Sequence, residues 1–193
     1  MKKVLFLLLG ITMLAGCDRI EETLNLINCK YKLNNIGNIT WAGINLSNIH
    51  NVSDLSIIDL ANAATAIAQR NFNLNFDANV LAVNNTSRPA SGIKGFDYAL
   101  QLDQTQLTSG ENNNQDLYVA PNGGEAIIPI GMNVDLEQLL SGDALSSIVN
   151  FASNLTRYGN GEPSNVSLKF RPWVELGSTI QKLPYITLNH TLQ

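Results

Sequence analysis

Few side chains in this sequence have the chemistry of a catalytic nucleophile or of a transition-metal ligand. The 193-residue chain has two cysteines, Cys17 and Cys29, and two histidines, His50 and His190. No Cys-x-x-Cys or His-Glu-x-x-His spacing occurs, so the common arrangements of metal ligands are absent from the sequence. No Gly-x-Ser-x-Gly motif presents a serine nucleophile. We therefore predict no catalytic residue, no metal site and no cofactor, and we interpret both histidines as ordinary surface or edge residues.

Oxygen-bearing side chains suggest two further kinds of site, and neither has its full pattern. Asp97, Asp103 and Glu175 could flank a sugar as glycosidase carboxylates do, but the sequence singles out no pair. Polar residues alternate over 112–116 as calcium ligands do: Asn112, Asn114 and Asp116. The glycine and the terminal glutamate of a calcium loop are missing, so we interpret this tract as a solvated hairpin loop.

Aromatic side chains could line a binding groove. Trp173 follows Pro172 and has charged residues close by, so we predict it as the aromatic residue best placed for an exposed contact. The other aromatic candidates are more typical of a core: Trp41, Tyr98, Tyr118, Tyr158 and Tyr185.

The N-terminal segment has the organisation of an export signal. Lys2 and Lys3 precede a short apolar run over residues 4–14, which then ends on small residues. A membrane-spanning helix needs ~20 apolar residues, so the run is too short to cross a bilayer comfortably. The tetrad Leu14-Ala15-Gly16-Cys17 resembles the lipobox of bacterial lipoproteins.

This resemblance implies that the Cys17 thiol carries diacylglycerol and that the chain is cut before it. The alternative is an ordinary signal peptide followed by an incidental cysteine. We expect residues 1–16 to be a lipoprotein signal peptide, residues 17–28 a tether and residues 29–193 a single domain. The protein would be anchored to the inner or outer membrane of a bacterial cell envelope, facing the periplasm or the exterior.

Charge excludes some partners. Loss of Lys2 and Lys3 with the signal changes the formal net charge from −4 to −6. An acidic chain without a run of lysines or arginines is not typical of a nucleic-acid-binding protein. The same balance argues against tight electrostatic adhesion to anionic lipid.

Cys29 is left without a disulfide partner if Cys17 is acylated. We predict that Cys29 is a small buried side chain at the start of the first strand. The alternative is a reactive or intermolecular thiol.

A period of two in the apolar residues predicts most of the strands. The clearest covers residues 71–84, where Phe72, Leu74 and Phe76 alternate with polar residues. Further strands are predicted within residues 29–49, 93–102, 117–120, 126–134, 166–176 and 179–192. Residues 108–115 are predicted as a loop and 121–124 as a turn, and Pro129 indicates an edge strand or a bulge.

Helical spacing predicts two helical segments. The first starts near Ser53-Asp54, and one apolar face is expected to pack on a sheet: Ile57, Leu60, Ala61, Ala64, Ile67 and Ala68. The second covers residues 135–158 with a break near Ser141-Gly142, and its apolar face is Leu145, Ile148, Val149, Ala152 and Leu155.

This order of elements predicts a mainly β fold. Six or seven strands with frequent Gly, Pro and Asn turns favour an antiparallel β-sandwich with one or two packed helices. Strands and helices do not alternate regularly, which argues against a parallel α/β sheet.

The middle of the chain carries a recognisable order of motifs. A strand ends in Leu81–Asn85, a second contains Ile93–Leu100, a turn follows at Leu107–Gly110, and a later strand contains Ile128-Pro129-Ile130. The closing segment Leu183–Leu188 completes the pattern. This order resembles the late-embryogenesis-abundant type 2 family, also called the water-stress and hypersensitive-response domain. The resemblance implies an immunoglobulin- or fibronectin-like β-sandwich with a helix packed at one side, and it supplies no catalytic residues.

We therefore expect a non-enzymatic, lipid-anchored envelope protein that acts as a binding or structural module, docking another envelope protein. An alternative is a carrier of a hydrophobic small molecule or lipid held between sheet and helix, where Ala61, Ala64 and Ala68 would leave room. An envelope hydrolase is the third hypothesis.

Overall fold

The computed structural model describes residues 21–102, 105–140, 143–155, 164–176 and 178–192. These ranges contain three α-helices and nine strands, joined by short 3-10 turns at Val52–Asp54 and Glu137–Leu139. In chain order they are α1 (21–28), β1 (Lys30–Trp41), β2 (Ile44–Asn45), α2 (Ile57–Ala68), β3 (Asn73–Asn84), β4 (Ala90–Leu102), β5 (Thr105–Val119), β6 (Gly124–Asp135), α3 (Ala144–Leu155), β7 (Ser164–Leu176), β8 (Thr179–Lys182) and β9 (Ile186–Leu192).

The strands form two antiparallel sheets that curl into a half-barrel. The first sheet has the order β2-β1-β3-β6, and the second has the order β5-β4-β7-β8, with β9 also paired to β7. The predicted mainly β, antiparallel class with packed helices is therefore confirmed at this level.

The interior lies between the two sheets because each central strand turns alternate apolar side chains inward. In β3, Leu74, Phe76 and Ala78 are buried, while the intervening asparagines and aspartate face outward. The rings of Phe96 and Phe170, from neighbouring strands of the second sheet, have centroids 5.1 Å apart in this core.

The register of the first sheet defines two ends of the molecule. Lys30 of β1 is the Cα partner of Val83 of β3, and α1 lies at this end. Nine residues away along β3, Leu74 pairs with Trp41 of β1 and with Val134 of β6. Helix α2 leads into that end of β3, and α3 follows β6 from the same end. We call these the α1 end and the α2 end.

The packed body starts earlier in the chain than residue 29. Residues 21–28, predicted as part of a tether, form α1, with Thr23 and Leu26 buried. The Asn25 side chain donates a hydrogen bond to the Pro89 carbonyl at 3.1 Å, and Ser91 Oγ donates to Glu22 Oε2 at 2.6 Å.

Strand β5 corrects the predicted loop over residues 108–115. It runs from Thr105 to Val119 and pairs with β4, with register shifts of which the largest falls between Asn113 and Leu117. The predicted last strand is instead divided into β8 and β9, which both pair with β7. Pro129 lies in β6, at an edge of its sheet, as predicted. The predicted break at Ser141-Gly142 lies outside the described residues.

Candidate functional site

Cys17, the residue predicted to be acylated, lies outside the described residues, as does the apolar segment before it. Within the part of the chain that the structure describes, no helix has the length and apolar character needed to cross a membrane.

Helix α2 exposes the apolar face that the sequence predicted to be buried. Its N-terminus is capped by Ser56, whose Oγ accepts the Asp59 N–H at 3.1 Å, while the Asp59 carboxylate accepts the Ser56 N–H at 3.0 Å. The side that packs on the body is made of Ala63 and Ala66, with Ile67 of the predicted face half-buried beside them. The side turned to solvent also carries the polar residues Asn62 and Thr65. We call its apolar residues the α2 surface: Ile57, Ile58, Leu60, Ala61, Ala64 and Ala68.

The prediction for this helix was wrong because both of its faces are apolar. Large side chains were assigned to the core, but small alanines let the helix axis approach the body closely, and they form the contact instead. Ile57 is 86% exposed and Ile58 is 73% exposed, values unusual for isoleucine in a folded helix.

A shallow groove lies at the same end as the α2 surface. It has a volume of about 260 Å³ and lies between the 3-10 turn at Glu137–Leu139 and helix α3. Leu139 and Phe151 contribute apolar surface to it, and Asn150 and Asn154 contribute polar surface. The predicted apolar face of α3 is confirmed, since Ile148, Val149, Ala152 and Leu155 are buried.

The outer face of the second sheet carries a cluster of paired charges around Asp97. Glu111, Asp97 and Arg171 are Cα partners in adjacent strands, so their side chains stand in one row. The Arg171 guanidinium donates to Asp97 Oδ2, and Lys182 Nζ lies 3.0 Å from Asp97 Oδ1 and 3.5 Å from Glu111 Oε1. Two acids and two bases thus neutralise one another.

Asp97 stays ionised although it is only 6% exposed. Burial alone would raise the pKa of this carboxyl, but hydrogen bonds from Lys182 and Arg171, with the Arg171 charge, hold it below its ordinary value. An ionised carboxylate that is already paired with two cations is suited to joining strands and not to accepting a proton from a substrate.

Trp173 belongs to this cluster, and its predicted exposure is wrong. The indole is 9% exposed because it lies against Gly95, where an added Cβ would come within 2.9 Å of Trp173 Cε3. Lys182 Nζ covers its other side, 4.2 Å from the ring centroid. Arg171 lies in the same way 4.5 Å from the ring centroid of Tyr185.

The remaining aromatic candidates do not converge on one groove. Trp41 is buried in the core and donates its indole N–H to the Asn71 carbonyl at 2.8 Å. Tyr98 is half-buried against Gly110. Tyr118 is exposed on β5, and Tyr185 is exposed in the connection between β8 and β9. Tyr158 lies outside the described residues.

The candidates for catalysis are distributed over separate elements. His50 precedes the first 3-10 turn, with its backbone N–H donating to Asp54 Oδ2 at 3.0 Å, and the backbone of His190 pairs with Val166. Glu175 is paired with Lys94 at 3.5 Å. Asp103 lies outside the described residues.

The calcium interpretation, which the sequence disfavoured, does not fit the structure of residues 112–116. Residues 112–116 belong to β5 and not to a loop, and Asp116 is paired with Lys94 Nζ at 3.5 Å. Among the described residues, no group of three or more His, Cys, Asp or Glu side chains is placed to hold a metal ion.

Cys29 is a buried, free cysteine, as predicted. Burial raises the pKa of its thiol, against a smaller lowering by the hydrogen bond with Tyr31, and Sγ donates to the Asn25 carbonyl at 3.5 Å. Because the thiolate is the reactive form, this environment makes Cys29 inert.

The space expected for a carried apolar molecule is not where the sequence placed it. Ala61, Ala64 and Ala68 face solvent and not a sheet. A groove of about 520 Å³ does lie between β1 and β9, but polar side chains form much of its lining: Tyr31, Lys32, Asn34, Thr187 and Asn189. Binding sites for apolar molecules are lined mainly by hydrophobic side chains, so this groove has the wrong chemistry.

Comparison with known proteins gives distant structural similarity alone. No model of a known protein family matches the chain, and no curated protein matches it in sequence. A protein from Archaeoglobus fulgidus is similar in structure, with 13% identity and a TM-score of 0.38 over 83% of this chain and 95% of that chain. A late-embryogenesis-abundant protein shares 10% identity and a TM-score of 0.40 over 98% of this chain and 86% of its own. At these TM-scores the similarities do not define a family, and the family resemblance of the motifs stays a prediction.

Proposed function

We propose that this protein is a lipid-anchored, non-enzymatic protein of the bacterial cell envelope that binds a partner protein through the α2 surface. The observation that carries this proposal is the exposure of Ile57, Ile58 and Leu60 on a helix that is capped and packed in place. Single exposed apolar residues are ordinary, whereas adjacent ones on one helix face are typical of interaction sites.

The chemistry of the α2 surface favours an apolar protein partner. Asp59 is the one charged residue of α2, and its carboxylate is held by the helix cap. Ile57, Leu60, Ala61, Ala64 and Ala68 recur with the spacing of a continuous helical stripe. Such a stripe fits an apolar helix or strand of another protein and offers nothing to a charged ligand.

The position of the α2 surface distinguishes a protein partner from the anchoring membrane. The proposed anchor at Cys17 precedes α1, and α2 lies at the opposite end of the sheets. β3 has 12 residues and therefore spans about 40 Å between these ends. The α2 surface would thus face away from the bilayer that holds the lipid.

The finer fold assignment belongs to the same proposal. We infer an immunoglobulin- or fibronectin-like sandwich of the late-embryogenesis-abundant type 2 kind. The order of motifs supports this inference: β3 ends at Asn84, β4 contains Tyr98, Gly110 follows, and β6 contains Pro129. The two facing antiparallel sheets are compatible with it.

Site-specific photo-crosslinking in the native bacterium tests the partner. A photoreactive residue replaces Ile58 in one strain, and Ile180, which is 60% exposed on β8, in a control strain. We expect a discrete heteromeric adduct from position 58 that Leu60→Asp removes and that Glu125→Gln, at the other end of β6, leaves intact. Adduct formation at position 58 no stronger than at position 180 would overturn the proposal, and so would an adduct that contains this chain alone.

A further inference from the structure

We propose that the outer side of α1 lies on the surface of the phospholipid bilayer, with Leu24 and Ile27 inserted among the lipid headgroups. This inference rests on the proposed lipid anchor at Cys17. It concerns a surface different from the α2 surface and assigns the orientation of the molecule on its membrane.

Helix α1 has an apolar side that the described part of the protein covers only about half. Leu24 is 47% exposed and Ile27 is 52% exposed, and because they are three residues apart they share one side of the helix. Thr23 and Leu26, each one position earlier in the chain, lie about 100° around the helix from them and are buried. The helix therefore buries Thr23 and Leu26 against the protein and leaves Leu24 and Ile27 about half exposed on its outer side.

Several contacts fix α1 to the body, so its outer side has a defined direction. Glu22 accepts from Ser91, Asn25 donates to Pro89, and the Tyr31 hydroxyl donates to the Leu26 carbonyl at 2.7 Å. Glu21 forms an ion pair with Arg88. Rotation of α1 to hide Leu24 and Ile27 would break these contacts and expose Leu26.

The length of chain between the proposed anchor and α1 identifies the occupant. Cys17 lies four residues before Glu21, and four residues span at most about 14 Å. A diacylglyceryl group holds Cys17 at the bilayer surface, so α1 must stay within that distance of it. A lipid bilayer is therefore the apolar surface nearest to Leu24 and Ile27.

Neighbouring side chains at the α1 end are those expected at a headgroup boundary. Tyr118 is exposed and is the Cα partner of Ser91, which is bonded to α1. Lys30 and Lys32 are exposed at the start of β1. A tyrosine with one polar end and lysines with long apolar stems are suited to such a boundary.

Fluorescence quenching by brominated lipid tests this orientation. Full-length, lipidated protein carrying Leu24→Trp, Ile27→Trp or, as the control, Ile57→Trp is reconstituted into phosphatidylcholine vesicles with or without brominated acyl chains. Trp41 and Trp173 give a constant background that the unsubstituted protein measures, since both are buried. All three substitutions are at exposed positions, and thermal unfolding verifies that each variant is folded.

We expect brominated lipid to reduce the added emission about twofold for Leu24→Trp and Ile27→Trp, as for a helix lying 5–10 Å deep at the interface, and to leave Ile57→Trp unchanged. Membrane-bound protein without quenching at 24 and 27 would overturn the inference and leave the anchor standing. Equal quenching at 24 and 57 would also overturn it. Failure of the lipidated protein to float with vesicles would overturn the anchor and this inference together.

Discussion

The carboxylate of Asp97 joins three strands of the second sheet through Arg171 and Lys182. Asp97→Asn removes the charge that both cations share, so we expect the free energy of unfolding at pH 7 to fall by about 1–3 kcal/mol. Asp116→Asn is the control, because Asp116 is fully exposed beside Lys94, and such surface pairs contribute about 0–1 kcal/mol. Urea unfolding of both variants measures the difference, and equal losses would contradict the structural role given to Asp97.

Acid should weaken the same cluster. The pKa of Asp97 is lowered in the folded state, so the folded protein binds its proton less readily than the unfolded chain does. Its stabilisation is therefore complete above the ordinary pKa of aspartate, near 3.8, and is lost as the pH falls through the lowered folded value. We expect the stability gap between wild type and Asp97→Asn to be constant from about pH 7 to 5 and to shrink below about pH 4. A gap that grows on acidification would have the wrong sign.

At the level of single residues, the sequence predicts local environments better than distant pairings. Cys29 is buried because it stands where an apolar residue begins a strand, and this can be inferred from the sequence pattern. The cluster around Asp97 brings together side chains from β4, β5, β7 and β8, whose register is not encoded in any local motif. A charged residue inside the apolar pattern of β4 was the available signal. The burial of Trp173 was not predicted because it depends on contact with Gly95, which lies on another strand.

Among the elements, α2 provides a direct test of which helix face is buried. Ala63 is fully buried, and Ala64, the next residue, is exposed. Ala63→Leu should overpack the contact with the body and lower the free energy of unfolding by about 1–3 kcal/mol. Ala64→Leu should change it by less than about 0.5 kcal/mol. If denaturant unfolding shows the larger loss for Ala64→Leu, the face predicted from the sequence is the buried one.

The sequence predicts whether a segment is a helix or a strand where the periodicity is strong. It predicts less well which face of that element is buried. The alternation over β3 and the helical spacing over α2 and α3 predicted the right structures because neighbouring residues determine the backbone. The tract Glu111–Gln115 predicted a loop from its polar composition, but residues 111–113 pair with β4 and continue the strand. Such tertiary pairing overrides local propensity.

For the whole molecule, the proposed anchor is tested by removing the acylated thiol. Cys17→Ser should move the protein from the membrane fraction to the soluble fraction, because each buried CH₂ of a lipid chain contributes about 0.8 kcal/mol to membrane binding. Cys29→Ala is the matched control and should stay in the membrane fraction, since Cys29 is buried in the fold. Fractionation with mass spectrometry of the N-terminal peptide measures both, and continued sedimentation of Cys17→Ser with membranes would contradict the anchor.

The uninterrupted length of β3 has a consequence for how a partner would be found. In the proposed anchored state, the 12 residues of paired strand hold α2 away from the lipid, at a height that the length of β3 limits to about 40 Å. A partner anchored in the same membrane then searches a thin layer and not a volume, which raises the effective concentration of its binding segment at that height. A segment lying flat on the lipid never enters that layer. The length of β3 thus sets the distance from the membrane at which a partner must present its binding segment before any apolar contact is made.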